Sequence, residues 1–355
     1  MVGSAMALDL VKDHNVVLAD RSKENLDHTK ARVKELGTLV LDVTDKSALQ
    51  KAVDPFDIVL LAVPGFLGFE ALNTIIEAGK NVVDISFFPE NALKLDALAK
   101  EKGVTAIVDC GVAPGIGNLI LGRLNEEMRI DSFECLVGGL PKMKKWPWNY
   151  KAPFSPIDVI EEYTRPARYV ENGELVVREA LSDAEIVHFE QVGDLEAFNT
   201  DGLRSIIDTM PHIPNRKEKT LRYPGHIEYI KVLKESGFFE GEALEFTSKL
   251  LIDQWKLEPE EEEFTVMRVT VRGEDKEGKQ KEFIYELYDE YDHKTKTSSM
   301  ARTTGYTATA AVNLMIKGLF DEKGVFPPEL IGKHKACYEY IFDYLEDRKV
   351  RITET

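Results

Sequence analysis

Over residues 1 to about 118 the chain alternates short apolar runs with segments of helical periodicity. This constrains the fold more than any other feature, because buried strands joined by helices close into a parallel sheet covered by helices. Strands are expected at Asn15–Asp20, Thr38–Asp42, Asp57–Val63, Asn81–Ser86 and Val104–Cys110. Helices are expected at Leu26–Leu36, Ser47–Val53, Phe69–Ala78 and Ala92–Lys100. Several expected strands end in residues suited to a ligand, which in an open parallel sheet sits beyond the carboxyl ends of the strands.

The opening residues sharpen that expectation. Gly3-Ser4-Ala5-Met6-Ala7 leads to Val16-Val17-Leu18-Ala19-Asp20, with Asp20 lying 20 − 3 = 17 residues beyond Gly3. This reads as the closing part of a G-x-G-x-x-G dinucleotide fingerprint: the last glycine, a helix of small residues that lies close on the sheet, and a strand ending in an acid for the adenine ribose. The first strand and the earlier glycines are missing from the sequence, and a trimmed or misassigned start is the expected reason. An ordinary amphipathic helix followed by a strand with a turn aspartate fits the same twenty residues. On the fingerprint reading Gly3 and Asp20 are cofactor-binding. The charge of Asp20 favours NAD over NADP by repelling a 2′-phosphate, although Arg21 stands beside it.

Charge and composition exclude other classes. The formal net charge of −17 argues against nucleic acid or a membrane surface, both polyanionic, and leaves a small molecule as the expected partner. No run approaches the length of a membrane span and no signal peptide is visible, so a cytoplasmic protein is expected. Cys110, Cys135 and Cys337 are far apart and lack metal-ligand spacing, so buried free thiols are expected and no metal.

After Gly117-Asn118 the pattern changes. Strands are read at Phe133–Leu140 and Glu185–Glu190, and a hairpin at Phe264–Val271 and Glu282–Tyr288, turned by Arg272–Lys281. Helices are read after Ser155-Pro156-Ile157-Asp158, at Ile227–Ser236, Thr247–Lys256, Tyr306–Lys317 and Lys335–Asp347. The acidic run Glu258–Glu263 is taken as a solvated loop. The expected organisation is a dinucleotide-binding domain over 1–118, an α+β substrate and dimerisation domain over 119–300, and C-terminal helices over 301–355 that return to the first domain.

Two segments carry a resemblance. Asp109-Cys110-Gly111-Val112-Ala113-Pro114-Gly115 and Gly138-Gly139-Leu140-Pro141 resemble the D-x-G-x-x-P-G and G-G-[LI]-P pair of the saccharopine dehydrogenase family. Matches continue through Phe154-Ser155, Glu161-Glu162-Tyr163-Thr164, Glu171-Asn172-Gly173, Leu195-Glu196-Ala197-Phe198, Leu221-Arg222-Tyr223-Pro224-Gly225-His226 and Met300-Ala301-Arg302. Ala113 and His226 look more like the L-lysine 6-dehydrogenase branch than like saccharopine reductases. The resemblance implies an α/β fold, with a Rossmann-type parallel sheet, an inserted α+β substrate domain, a C-terminal helical return and a homodimer.

It also implies an oxidoreductase that oxidises the ε-amine of L-lysine with NAD, giving 2-aminoadipate semialdehyde and ammonia. Asp42 and Val43 would edge the adenine. Pro64 and Gly65 would let the main chain pass the cofactor's ribose or phosphate, and Ser86 and Phe87 would lie toward the nicotinamide. Asn118 would hold the carboxamide or cap a helix. His226 is the expected general base, since an imidazole titrates near neutrality, and Asp109 would place water or remain a structural anion. Arg222, with Arg204 behind it, would fork onto the substrate carboxylate. Glu161 or Asp201 would receive the α-ammonium, and Tyr150 would line the pocket. Saccharopine or carboxynorspermidine reduction is a sister reading, and a non-catalytic binding protein is the reading from another class.

Overall fold

The computed structural model describes residues 2–258 and 261–354. In chain order its elements are α1 (Val2–Leu10), β1 (Val17–Asp20), α2 (Lys23–Arg32), β2 (Gly37–Val40), α3 (Lys46–Val53), β3 (Ile58–Leu61), α4 (Gly65–Glu77), β4 (Asn81–Asp84), α5 (Asp96–Lys102), β5 (Thr105–Ile107) and α6 (Ile116–Asn125). There follow β6 (Arg129–Pro141), α7 (Pro156–Thr164), β7 (Ala167–Glu171), β8 (Glu174–Arg178), β9 (Glu185–Phe189), β10 (Gly193–Asn199), α8 (Ile206–Thr209), β11 (Asn215–Arg222), α9 (His226–Glu235), α10 (Gly241–Trp255), β12 (Glu263–Glu274) and β13 (Gln280–Glu290). The chain ends with α11 (Ser299–Ile316), β14 (Gly324–Phe326), α12 (Pro328–Gly332), α13 (Lys335–Asp347) and β15 (Ile352–Glu354).

Two compact units result, one of Met1–Arg123 with Ala301–Lys349 and the other of Leu124–Met300 with Val350–Thr355. The returning segment therefore ends at Lys349 rather than at the end of the chain, and β15 pairs with β13 in the second unit.

The first unit is an α/β body with parallel strands, but they form two sheets: β1 with β2, and β14-β5-β4-β3. Helix starts follow from sequence. Ser22 accepts from the Asn25 amide and Asp45 from the Ala48 amide, each satisfying a donor that the helix itself leaves open. The apolar faces of α3, α4 and α5 close over the larger sheet through Leu49, Leu72, Ile75, Ile76 and Ala99.

Close backbone approach sets the rest. A Cβ on Gly122 of α6 would lie 2.0 Å from the Glu329 carbonyl oxygen, and one on Gly332 of α12 would lie 2.2 Å from that of Leu119, so only glycines let these helices touch. Gly3 has no neighbour within reach of a Cβ. Instead Gly305 of α11 lies against Met6 of α1, so the small residues of the opening seat α1 on α11. Asp9 holds this arrangement, accepting from Thr309, Tyr344 and Arg348. Burial works against its charge, but these hydrogen bonds and the Arg348 charge keep its carboxyl below the usual range.

The second unit is built on a sheet of nine strands in the order β15-β13-β12-β6-β11-β10-β9, with β7 and β8 attached at β11. The β12–β13 ladder runs further than the expected arms, to Glu274↔Gln280, because Arg272 and Glu282 face each other as an ion pair. The turn shrinks to Asp275–Lys279, where the Asp275 carboxylate takes the Glu277 and Lys279 amides. Of the acidic run Glu258–Glu263, residues 259 and 260 lie outside the described residues. Glu263 is not solvated: it is fully buried and accepts from the Met300 amide. All three cysteines are buried and unpaired. Among the described residues no helix is long and apolar enough to cross a membrane.

Candidate functional site

In the second unit the end of β11, the start of α9, one face of α7 and the end of α10 bring a polar cluster into an apolar surround. Val159, Ile160, Tyr163, Ile227, Ile230, Leu251 and Trp255 form that surround. Arg222, the last residue of β11, is 2% exposed. Its Nε donates to Tyr163 Oη at 2.9 Å, its Nη1 to the Leu221 carbonyl at 3.0 Å, and its Nη2 to Glu162 Oε2 at 3.2 Å. The guanidinium also stacks on the Tyr150 ring, 4.4 Å from its centroid.

His226 opens α9, and both of its ring nitrogens are engaged. Nδ1 lies 2.9 Å from the Trp148 carbonyl oxygen, which can only accept, so Nδ1 carries the hydrogen. Nε2 is then an acceptor, and it takes the Tyr163 hydroxyl proton at 3.0 Å. Tyr163 Oη is thereby oriented with a lone pair toward Arg222. The donors run in one order, from Arg222 to Tyr163 to His226 to Trp148.

The cluster's electrostatics follow from burial around one fixed cation. Burial, then the Arg222 charge, pushes His226 down to about 3. Burial pushes Glu162 up to about 7 against the pull of Arg222, and Tyr163 up to about 12. Burial opposes the Arg222 charge, but Tyr150, Tyr163 and Glu162 more than offset it, so the guanidinium stays charged.

These facts correct two expectations. His226 is not poised as a general base: it is neutral at physiological pH, 1% exposed, and without a nitrogen to offer a substrate. Glu161, one of the two acids expected to receive the α-ammonium, is instead paired with Arg165 one turn along α7 and does not stand beside Arg222. Glu162 takes that place. The stripe Val159-Tyr163, four residues apart, marks the inward face of α7, and Glu162 borders it while Glu161 turns away. That spacing was the available signal for Glu162 and Tyr163. No local pattern pointed to Trp148 or Trp255, whose rings pack edge to face 5.8 Å apart beside the cluster.

The remaining substrate residues of the second unit stand apart from the Arg222 hydrogen bonds. Asp201 receives Nε and Nη2 of Arg168, both at 2.9 Å, so its charge is already matched. Arg204 is buried in a left-handed backbone conformation, φ 46°. Tyr150 belongs to the cluster, and its hydroxyl is buried without a hydrogen-bond partner.

In the first unit the expected cofactor residues follow strand ends. Asp20 closes β1, and its carboxylate takes the Ser22 amide at 2.7 Å, forming the turn into α2. Pro64 caps α4 and Gly65 begins it. Ser86 follows β4, and its buried hydroxyl has no hydrogen-bond partner, which fits a polar group of a ligand at this strand end. Phe87 is half-buried beside it, whereas Phe88 is core, edge to face with Phe69.

Asp109 stands at φ 54° before a tight loop in which a Cβ on Gly115 would lie 1.8 Å from the Gly111 carbonyl oxygen. Other positions have structural occupations. Asp42 accepts from the amide and hydroxyl of Thr44, and Val43 packs on the core of the larger sheet. Asn118 accepts from the Gly115 amide and donates to Glu329 at 2.9 Å, so both ends of its amide are engaged within the unit. Gly3 sits in the first turn of α1, where an added Cβ would meet no other part of the chain.

Comparison with known proteins places this geometry. Residues 1–107 match the family described as Saccharopine dehydrogenase NADP binding domain, and residues 111–350 match Saccharopine dehydrogenase C-terminal domain. The chain belongs to the saccharopine dehydrogenase family. Among curated relatives it is 27% identical over 249 residues to Saccharopine dehydrogenase [NADP(+), L-glutamate-forming] of Schizosaccharomyces pombe, covering 67% of this chain and 55% of that protein. It is 28% identical over 251 residues to the Saccharomyces cerevisiae protein of the same name, covering 67% and 56%. To Alpha-aminoadipic semialdehyde synthase of Arabidopsis thaliana it is 26% identical over 246 residues, covering 65% of this chain and 23% of that one. The chain thus spans little more than half the length of the dehydrogenases it matches, and less of the synthase.

Two solved structures share the fold. Saccharopine dehydrogenase (L-Glu forming) from Saccharomyces cerevisiae superposes with a TM-score of 0.79 at 20% identity, over 100% of this chain and 97% of that one. Homospermidine synthase from Legionella pneumophila gives 0.68 at 11% identity, over 99% and 88%. Within the saccharopine dehydrogenase fold the paired glycines of Gly138-Gly139-Leu140-Pro141 have a packing role, since Cβ atoms there would meet the Leu221 carbonyl oxygen at 2.7 Å and Pro153 at 2.6 Å.

Proposed function

We propose that this chain is a pyridine-nucleotide-dependent oxidoreductase acting on the carbon–nitrogen bond of an amino acid. One observation carries the reading: a permanently charged guanidinium, Arg222, held by Tyr163 and stacked on Tyr150, in the part of the chain that matches Saccharopine dehydrogenase C-terminal domain. A planar fork fixed at the end of a strand is the form a carboxylate receptor takes. When bound, a nicotinamide coenzyme supplies the hydride acceptor. The chain's own contribution is to bind: Arg222 the carboxylate, Asp20 the adenine ribose, and Pro64, Gly65 and Ser86 the neighbouring parts of the dinucleotide.

L-lysine is the proposed substrate, losing hydride and a proton from its ε-carbon and nitrogen to give an imine that water hydrolyses to the semialdehyde and ammonia. His226 and Ala113 support this branch. The printed names of the relatives support saccharopine as the second reading. Incubating the chain with NAD or NADP and L-lysine, saccharopine or carboxynorspermidine, and following absorbance of the reduced coenzyme, separates them. Reduction with L-lysine is expected; reduction with saccharopine alone selects the second reading, and none with any substrate removes both.

The coenzyme preference is proposed as NAD, on the carboxylate of Asp20. The relatives named for NADP(+) make this a demanding test. In Asp20→Ser the ratio of kcat/KM for NAD over NADP is expected to fall by about tenfold, the size of one lost charge repulsion of roughly 1.4 kcal/mol. A wild-type chain that prefers NADP would end the proposal.

A further inference from the structure

Arg222 is more richly supplied with donors than with acceptors. A guanidinium has five N–H groups, and among the described residues three hydrogen bonds leave Arg222, to Tyr163, Leu221 and Glu162. Its one carboxylate contact is a single oxygen at 3.2 Å, long for a charge-assisted bond, where a bidentate pair at about 2.8 Å is the strong form. The hydroxyl of Tyr150, stacked on the guanidinium, has no partner at all. Exposure is graded across the pair: the Arg222 side chain is 2% exposed and that of Glu162 17%, so a solute reaching the cation meets Glu162 first.

We propose that Glu162 is the resting occupant of a carboxylate receptor formed by Arg222 and Tyr150, and that an incoming carboxylate displaces it from the guanidinium while Glu162 takes up a proton. This rests on the reading of Arg222 as the anchor of an amino-acid substrate. Two anions beside one buried cation cannot both keep their charge cheaply, so the one with a route to solvent is neutralised. The surroundings of Glu162 favour that outcome. Burial pushes it up, Arg222 from β11 pulls it down, Asp158 on its own helix pushes it up and Arg165 pulls it down. Tyr163 of α7 and Tyr150 of the preceding loop interact with Glu162, neutral His226 of α9 lies behind Tyr163, and α10 meets the cluster through Trp255.

The test is calorimetric titration of the whole chain, with and without NAD, using glutarate, L-lysine and saccharopine in two buffers of different ionisation enthalpy. Glutarate has no amine and so isolates the carboxylate. Wild-type binding is expected to take up close to one proton just above neutral pH, and the apparent affinity to fall about tenfold per pH unit beyond it. In Glu162→Gln the uptake disappears and binding becomes tighter than wild type at alkaline pH. Binding without proton uptake in the wild type overturns the proposal, as does weaker binding in Glu162→Gln or no binding of any of the three. If L-lysine fails while glutarate or saccharopine binds with uptake, the lysine reading falls and this one stands. The wild-type proton count decides the matter even if the variant does not fold.

Discussion

Replacing Arg222 by methionine is expected to cost on the order of 3–5 kcal/mol of stability and to abolish binding of an amino-acid substrate. The cost arises because Glu162 and Tyr163 lose their common donor while remaining in an apolar surround. Arg222→Lys should retain much of the stability but lose the fork, since an ammonium cannot bond Tyr163, Leu221 and a carboxylate in one plane. Urea midpoints measure the first effect and calorimetry with L-lysine and saccharopine the second. A methionine variant as stable as the wild type would show that the cluster is not held together by its cation.

The second large effect is a loss of stability in acid that belongs to His226. Its pKa in the fold is lowered from 6.5 to about 3, so unfolding releases it to accept a proton at any pH between those values. The stability of the neutral form is therefore complete above about 6.5 and lost as pH falls, by on the order of 5 kcal/mol at pH 3. Glu162 has the opposite sign. Its carboxyl is raised from 4.5 to about 7, so its contribution is complete below 4.5 and is lost as pH rises to 7. Between about 4.5 and 6.5 the two slopes offset each other, and below that window the His226 loss is no longer opposed by Glu162 and adds to the loss from carboxyls held low, such as Asp9. Urea titrations across pH should show this shoulder in the wild type. In His226→Gln, which keeps a donor and an acceptor but gains no proton, the steep limb below 4.5 should flatten, and an unchanged limb would mean that histidine is not its source.

Much of the fold was legible because burial writes itself into periodicity. The helix expected at Lys335–Asp347 is α13 residue for residue, and four expected strands of the first unit enclose shorter real ones, β1, β3, β4 and β5, whereas β2 is shifted toward the N-terminus and begins at Gly37, one residue before the expected Thr38–Asp42. What could not be read depends on partners far along the chain. The parallel strands divide into two sheets, and no local pattern states which strand a given edge will meet. The β7–β8 hairpin has its sequence signal in Asn172-Gly173, a pair that readily takes the positive φ both residues show in the turn.

The site divides in the same way. Arg222, Tyr150 and His226 were identified, yet their roles depend on Trp148, Tyr163 and Glu162, and hydrogen-bond direction has no trace in one dimension. Asn118 and Asp42 illustrate the converse: polar residues at strand and helix ends whose bonds stay within their own unit.

The order of donors in the second unit has one more consequence. Because the row ends on the Trp148 carbonyl oxygen, which has no hydrogen to pass on, it cannot conduct a proton in either direction and acts as a brace. Its keystone is a single atom, Tyr163 Oη, engaged on both sides; deleting that oxygen would slacken the anchor and the imidazole together while leaving every charge in place.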